Sequence, residues 1–528
     1  MWKPLPNIRR STWKFNRRRR RRKMQMEEIS RRENQAMKWN VRGSLAVFAG
    51  FLIHVTLGHY LTFGNMNTYI TSYLRHRIDI SIGYSRSIWI NAVCLMGRGL
   101  VMMMGGMLGS RFGARWTCAL GCFIFSGSIA LTSISINSGF AAVVITYGLI
   151  PGFGIGIAYI PPFTLAMQWF PYRKGLALAL VTAGFGVGPV AFNNIQTAFV
   201  NPTNVSPADD GYFTDKDLLD KVPYVMLVMG GVYSTIQIIA CCLLFPQQGI
   251  TDTKETSDCK ESDTEKLPQI SEKEEVIDKK LETGDISNGK GVPEKLNIKS
   301  ENSDISKSEV VPGDMEVKDA FKTKELYILG LCVGLLLQVM VYVITMYKAF
   351  GQTFIKDDVF LATIAGFSGV ANAIGKTFWG FVFDKSSYRV IMGIITFLFG
   401  SLVASFPATQ FGYKPMWATW VISIFFVSSG IWAVVPAATA QVFGTKHGGT
   451  IYGLAFGIPA VCNVFGAMTA QKLQENFGWY GTFSYISILC FLAFLSTFLF
   501  PWNPEEKRVA YLEKKKRVSN EVPLQNVA

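Results

Sequence analysis

The chain has 528 residues, 49% of them apolar, with 52 Lys and Arg against 37 Asp and Glu and a formal net charge of +15. Nineteen of the acids fall between Gln247 and Ala320, a stretch without an aromatic residue, while apolar runs recur from Ser44 to Phe500. Runs of roughly 20 apolar residues match the thickness of a bilayer, so a soluble enzyme is excluded and the fold class is an all-α polytopic membrane protein.

The first 43 residues are a basic tail; residues 1–42 alone hold 15 Lys and Arg, including the block Arg17 to Arg22. On a soluble chain such a block would suggest a nucleic-acid partner. Beside membrane spans it marks a cytoplasmic face attracted to anionic lipid, so no nucleic acid is expected. Twelve spans follow, at 44–73, 86–108, 117–136, 140–167, 174–199, 223–245, 325–350, 359–381, 389–407, 415–437, 450–470 and 479–500. An even number puts both termini on one side, and their charges predict that this side is the cytoplasm. Arg111, Arg115, Arg173, Lys174, Lys385, Arg389 and Lys446 then fall on that side. The loop between spans 5 and 6 lies outside and carries Asp209, Asp210, Asp215, Asp217 and Asp220. It also carries the sequon Asn204-Val205-Ser206, which predicts glycosylation at Asn204 and favours the plasma membrane.

Residues 44–246 form a first six-helix bundle and residues 321–500 a second. Between them, 247–320 is rich in Lys, Glu, Asp and Ser and reads as a disordered cytoplasmic linker that cannot bury a core. Residues 501–528 form a second basic tail. Of nine Cys, eight sit in apolar segments and Cys259 in the linker, so no disulfide framework is expected. The two halves echo each other. After span 2 comes Gly106-Met-Leu-Gly-Ser110-Arg111-Phe-Gly113-Ala-Arg115; after span 8 comes Gly380-Phe-Val-Phe-Asp384-Lys385, ending at Arg389. Parallel six-span repeats belong to transporters that rock two bundles about a central site.

These turns resemble the signature of the major facilitator superfamily, with Ser110 standing where an Asp is usual. The resemblance implies a major facilitator fold, alternating access, and a gate built by Ser110, Arg111 and Arg115 in one half and Asp384, Lys385 and Arg389 in the other. Three further stretches resemble the oxalate:formate antiporter and monocarboxylate porter branch: Leu57-Gly58-His-Tyr60-Leu-Thr-Phe63-Gly64-Asn65, Gly152 to Pro161 leading to Trp169-Phe170-Pro171, and Tyr347-Lys348-Ala-Phe350-Gly351-Gln352.

Apart from Glu325 at the very start of span 7, no Asp or Glu lies inside a span as drawn, whereas Arg98, Lys376 and Lys348 do. A cation at membrane depth costs several kcal/mol unless it finds a partner or a wet cavity. An anionic substrate is the expected partner for Arg98 and Lys376. The bland readings are a packed, carbonyl-bonded Arg98 and a Lys376 reaching along its helix face towards Asp384. Lys348, a turn from the surface, is expected to snorkel. The resemblance places Lys376 where the branch usually has a carboxylate-holding Arg. It also places Asn372 where animal proton-coupled members have an Asp. Asn372 cannot titrate, so exchange or facilitated flow is expected ahead of carboxylate-mediated proton symport. His54 and His59 are expected to be neutral packing groups. Tyr60 is a candidate ligand, while Tyr69 and Tyr73 read as interfacial belt residues. Gly148, Gly152 and Gly156, and likewise Gly184 and Gly188, are spaced by four for close helix approach.

The expectation is therefore a secondary carrier, not an enzyme, needing no cofactor or metal and working as a monomeric transport unit. Its substrate is a small organic anion: a monocarboxylate such as pyruvate or lactate, or an oxalate- or formate-like acid. The substrate-binding candidates are Arg98, Lys376, Asn372 and Tyr60. A carrier of uncharged solutes and a non-transporting receptor or scaffold stay open as alternatives.

Overall fold

The computed structural model describes residues 41–170, 174–246, 315–444 and 448–521. Ten helical stretches in it are long and apolar enough to cross a membrane. Two of these are double. The stretch Tyr388–Phe443 turns over the 3₁₀ segment Phe406–Ala408, with Tyr413 just beyond it kinked out of the helical region at φ 52°, and Gly448–Thr497 breaks at Gly478, φ 62°. Only glycine takes such a φ without strain, and Gly478 turns one helix into the next. Twelve crossings result: α1 (Val41–Arg77), α2 (Tyr84–Phe112), α3 (Ala114–Ser135), α4 (Phe140–Trp169), α5 (Lys174–Val200), α6 (Lys216–Leu243), α7 (Lys324–Gly351), α8 (Asp358–Phe383), α9 (Tyr388–Ser405), α10 (Thr409–Phe443), α11 (448–477) and α12 (479–497). We call the side bearing Val41 and residue 497 the terminal side, and the opposite face the far side.

Most of the expected spans match these helices closely; α10 (Thr409–Phe443) and α11 (448–477) outrun the expected 415–437 and 450–470, and α6 begins at Lys216 rather than 223. The side chain of Asp215 caps it by accepting from the Leu218 amide at 2.8 Å. The polar first turns of α6 therefore stand outside the apolar stretch that hydropathy detects.

Small residues let the helices touch. A Cβ placed on Gly152 would fall 2.3 Å from the Cys94 carbonyl oxygen, and one on Gly184 would fall 2.2 Å from that of Phe51. The glycine spacings thus pack α4 on α2 and α5 on α1, as expected. The same device joins the two six-helix halves. Gly64 of α1 abuts Ile344 of α7, Gly186 of α5 abuts Gly369 of α8, and Gly99 of α2 abuts Ala460 of α11.

One domain boundary differs from expectation. Of the linker read at 247–320, residues 247–314 lie outside the described residues, but 315–320 are packed. Met315 and Ala320 are buried, and the Met315 amide donates to the Phe443 carbonyl at 2.9 Å. The C-terminal tail forms a helix, α13 (Pro504–Glu521), bound beneath the second half. Arg508 donates to the Ala440 carbonyl at the end of α10, and Lys507 pairs with Glu325 at 3.3 Å. Basic side chains at a helix C-terminus complement its free carbonyls and dipole.

Candidate functional site

One small cavity lies where the halves meet. It is lined by Tyr60 and Leu61 of α1, Arg98 of α2, Tyr159 of α4, Phe185 of α5, Met340 of α7, Asn372 and Lys376 of α8, and Trp432 of α10. All four substrate-binding candidates read from the sequence meet here. The free space is about 10 Å³, room for a single water, so a substrate enters only when the walls part.

Each polar side chain arrives for a local reason. The helix of α1 tightens to 3₁₀ winding over Gly58–Thr62, which turns Tyr60 to the cavity. Arg98 sits one turn from Cys94, whose carbonyl the glycine face of α4 covers. Asn372 and Lys376 are four apart on α8 and share its cavity face.

Arg98 is only 2% exposed and its Nε has no hydrogen-bond partner. Its guanidinium carbon lies 4.6 Å from the Tyr159 ring centroid, 5.2 Å from Trp432, 5.5 Å from Phe456 and 5.8 Å from Phe185. Lys376 Nζ lies 5.0 Å from the Phe185 centroid. It faces the cavity rather than Asp384, which corrects the reading of a side chain reaching along α8. Among the described residues no carboxylate pairs with either cation. A cation over a desolvated ring gains about 2 kcal/mol, less than the several kcal/mol needed to remove a charge from water. An anion in the cavity would supply the rest. The Asn372 amide donates to the Phe425 carbonyl at 3.3 Å, leaving its own oxygen buried and without a partner.

Lys348 does not snorkel. It and Asp358 are both fully buried, with Nζ 2.7 Å from the carboxylate. The expectation of no acid at depth also needs correcting. Drawing the eighth span from residue 359 left Asp358 just outside it, whereas it is the first residue of α8. The adjacent pair Asp357-Asp358, ten residues after a buried Lys, was the available signal. Tyr69 is likewise not a belt residue: it is fully buried and its hydroxyl donates to Asp358. Asn65 and Asn67 serve the same far-side contact, Asn65 accepting from Lys348 at 2.6 Å and Asn67 donating to the Thr345 carbonyl at 2.9 Å.

His54 and His59 are packing groups. His54 Nδ1 donates to the Gly50 carbonyl at 2.8 Å and stacks on Phe163, and His59 bonds the Tyr233 hydroxyl at 2.8 Å. Of the two terminal-side turns, the second bonds within its own half through Arg389. Arg111 and Arg115 are exposed, and the side chain of Ser110 lies outside the described residues. Asp384 and Lys385 are exposed; Arg389 donates to the Phe500 carbonyl and stacks on Trp502. Asn204 is exposed, but its amide donates to Asp357 at 3.1 Å. The eight described cysteines are all free thiols.

Comparison with known proteins agrees with this architecture. The sequence profile of the Major Facilitator Superfamily matches residues 52–363 and 326–526. The chain belongs to that superfamily. It is a membrane transporter and not an enzyme. Among the relatives of this facilitator, Apicoplast pyruvate carrier 1 of Toxoplasma gondii is 24% identical over 513 residues, spanning 87% of this chain and 88% of that protein. The Oxalate:formate antiporter of Oxalobacter formigenes is 23% identical over 426 residues, spanning 78% and 82%. Both fit the branch that the sequence motifs resemble. Among solved structures, a D-xylose-proton symporter superimposes with a TM-score of 0.60 at 12% identity, over 87% of this chain and 98% of that one. That likeness concerns the fold alone.

Proposed function

We propose that this facilitator carries a small organic anion by alternating access, through exchange or facilitated flow. A monocarboxylate such as pyruvate or lactate, or a short acid of the oxalate or formate kind, is the substrate class. The observation that carries the reading is the meeting of Arg98 and Lys376 in one inter-half cavity with no carboxylate among the described residues to neutralise them. Relatives named as a pyruvate carrier and an oxalate:formate antiporter support it. Arg98 and Lys376 hold the carboxylate, Asn372 and Tyr60 orient it, and the turns Ser110–Arg115 and Asp384–Arg389 form the terminal-side gate. The reading includes cytoplasmic termini, a plasma-membrane location and Asn204 as glycan acceptor; a glycosidase-sensitive mobility shift lost in Asn204→Gln checks the last.

The decisive experiment is counterflow of labelled pyruvate and oxalate into liposomes holding the purified protein. Uptake accelerated by a preloaded carboxylate is expected. Absence of uptake for every carboxylate, with uptake of a neutral solute instead, would overturn the anion reading.

A further inference from the structure

We propose that the buried Lys348–Asp358 pair is the latch that holds the far side shut during the transport cycle. Its charges belong to one half and its socket to the other. Lys348 lies in the last turn of α7 and Asp358 opens α8, so both charges sit in the second half, where Gln352 adds a donor to Asp358 at 3.3 Å. The first half supplies the remaining partners. Tyr69 and Asn201 both donate to the Asp358 Oδ2 atom, the latter at 2.9 Å. Asn65 accepts from Lys348 at 2.6 Å, and the Lys348 ammonium lies 4.6 Å from the Tyr69 ring centroid.

A buried ion pair survives only when its remaining donors and lone pairs are met. Here the second half alone cannot meet them, so the pair favours the closed far side for as long as Tyr69, Asn65 and Asn201 stay in place. When the halves rock apart, water replaces those three partners at the newly opened face. Water offsets only part of what those partners supply, so the closed far side is favoured without being locked.

Neighbouring contacts tie the latch to the cavity. Asn67 of α1 and Asn91 of α2 both bond Thr345, one turn before Lys348. Within the first half, Asn65 donates to Gln196 at 3.2 Å, Gln196 to Thr62 at 3.3 Å, and Thr62 bonds His59 at 3.2 Å. Tyr60, the next residue on α1, is a cavity wall. One helix therefore carries both the candidate substrate contact and the latch socket. A second clasp runs outside the first: Asp357 accepts from Asn204 at 3.1 Å and from Lys414 at 2.5 Å. A pair that only braced the α7–α8 connection would need no partner from the first half.

The test uses the full-length protein in lipid nanodiscs, with spin labels at His76 and Phe411. Both are exposed on the far side, one in each half. The variant Tyr69→Phe with Asn201→Ala removes two first-half donors and keeps both charges. The ratio of short to long label distances is expected to fall about tenfold or more, as the loss of two charge-assisted hydrogen bonds implies. The paired variant Lys348→Met with Asp358→Leu removes the latch without stranding a charge, and the same shift is expected. An unchanged or shortened distance distribution in the first variant, with unaltered thermal stability, would overturn the latch. The distances are read without substrate, so the anion reading can fail while the latch stands, and the reverse.

Discussion

Arg98 and Lys376 approach one aromatic ring from opposite halves of the protein: the Arg98 guanidinium carbon lies 5.8 Å and the Lys376 ammonium 5.0 Å from the Phe185 centroid. Two like charges brought this close, without a carboxylate among the described residues, form an arrangement that water or a bound anion must relieve. Because α2 and α8 belong to different halves, an anion held by both would also draw the halves together. Binding and closure then become a single event, as alternating access requires.

Loss of either cation should therefore remove more than affinity. Lys376→Ala is expected to abolish counterflow while the protein still reaches the membrane. Lys376→Arg should retain transport, since a guanidinium fork also grips a carboxylate. For Arg98→Gln, a loss of roughly 10- to 100-fold in apparent carboxylate affinity follows from one charged hydrogen-bonding partner. Counterflow rates normalised to surface-biotinylated protein check all three. Wild-type rates in Lys376→Ala would return that side chain to a structural role.

Asn372 gives a second handle. Its oxygen is buried without a partner, one turn from Lys376. Asn372→Asp would place a carboxylate beside the two cations and compete with the substrate for them. Carboxylate transport by that variant is expected to collapse at neutral pH and recover in acid, as protonation removes the competing charge. The measurement is the pH dependence of counterflow for the variant beside the wild type. Equal profiles would show that residue 372 does not face the substrate.

The fold was legible because twelve apolar stretches have no soluble alternative, and because basic turns recur at matching positions in each half. Arg98 and Lys376 were legible for a related reason: a cation at membrane depth is costly enough to stand out in a bare sequence. Lys348 was misjudged by the same reasoning. Its proximity to the surface suggested escape, and its partner Asp358 was excluded by a span boundary one residue late. Tyr69 and Asn201 could not have been found by periodicity, since they reach Asp358 only through the packing of α1 and α5 on α8. The packed tail helix α13 was hidden by its charge, which reads as a solvated end until Arg508 is seen on the Ala440 carbonyl.

The outer clasp has a calculable response to acid. Asp357 lies before α8, and its carboxyl is held below its ordinary value of 3.8, chiefly by the hydrogen bond from Lys414 and further by the Phe360 amide and Asn204. A depressed carboxyl contributes stability that is complete above the unfolded value and lost as pH falls through the lower folded one. Far-side closure through Asp357 should thus be unchanged from neutrality down to about pH 5 and weaken only below the ordinary carboxyl range. Label distances between His76 and Phe411 recorded across that range check this. Asp357→Asn should remove the acid-dependent step; a wild type that opens well above that range would contradict the assignment.

The glycine contacts predict the sharpest stability effects. At Gly184 an added Cβ would meet the Phe51 carbonyl oxygen at 2.2 Å and the Val55 amide nitrogen at 3.0 Å, both backbone atoms that no rotamer change can move aside. Gly184→Ala must therefore push α5 away from α1, at a cost of about 1–3 kcal/mol by the usual scale of overpacking. At Gly231, by contrast, nothing lies within 4 Å of the added atom. Gly231→Ala should be neutral or slightly stabilising, because alanine favours the helix that glycine weakens. Thermal unfolding of the two variants in the same detergent separates a packing requirement from a general intolerance of substitution. Equal melting temperatures for both would show that α1 and α5 are not held at the observed separation.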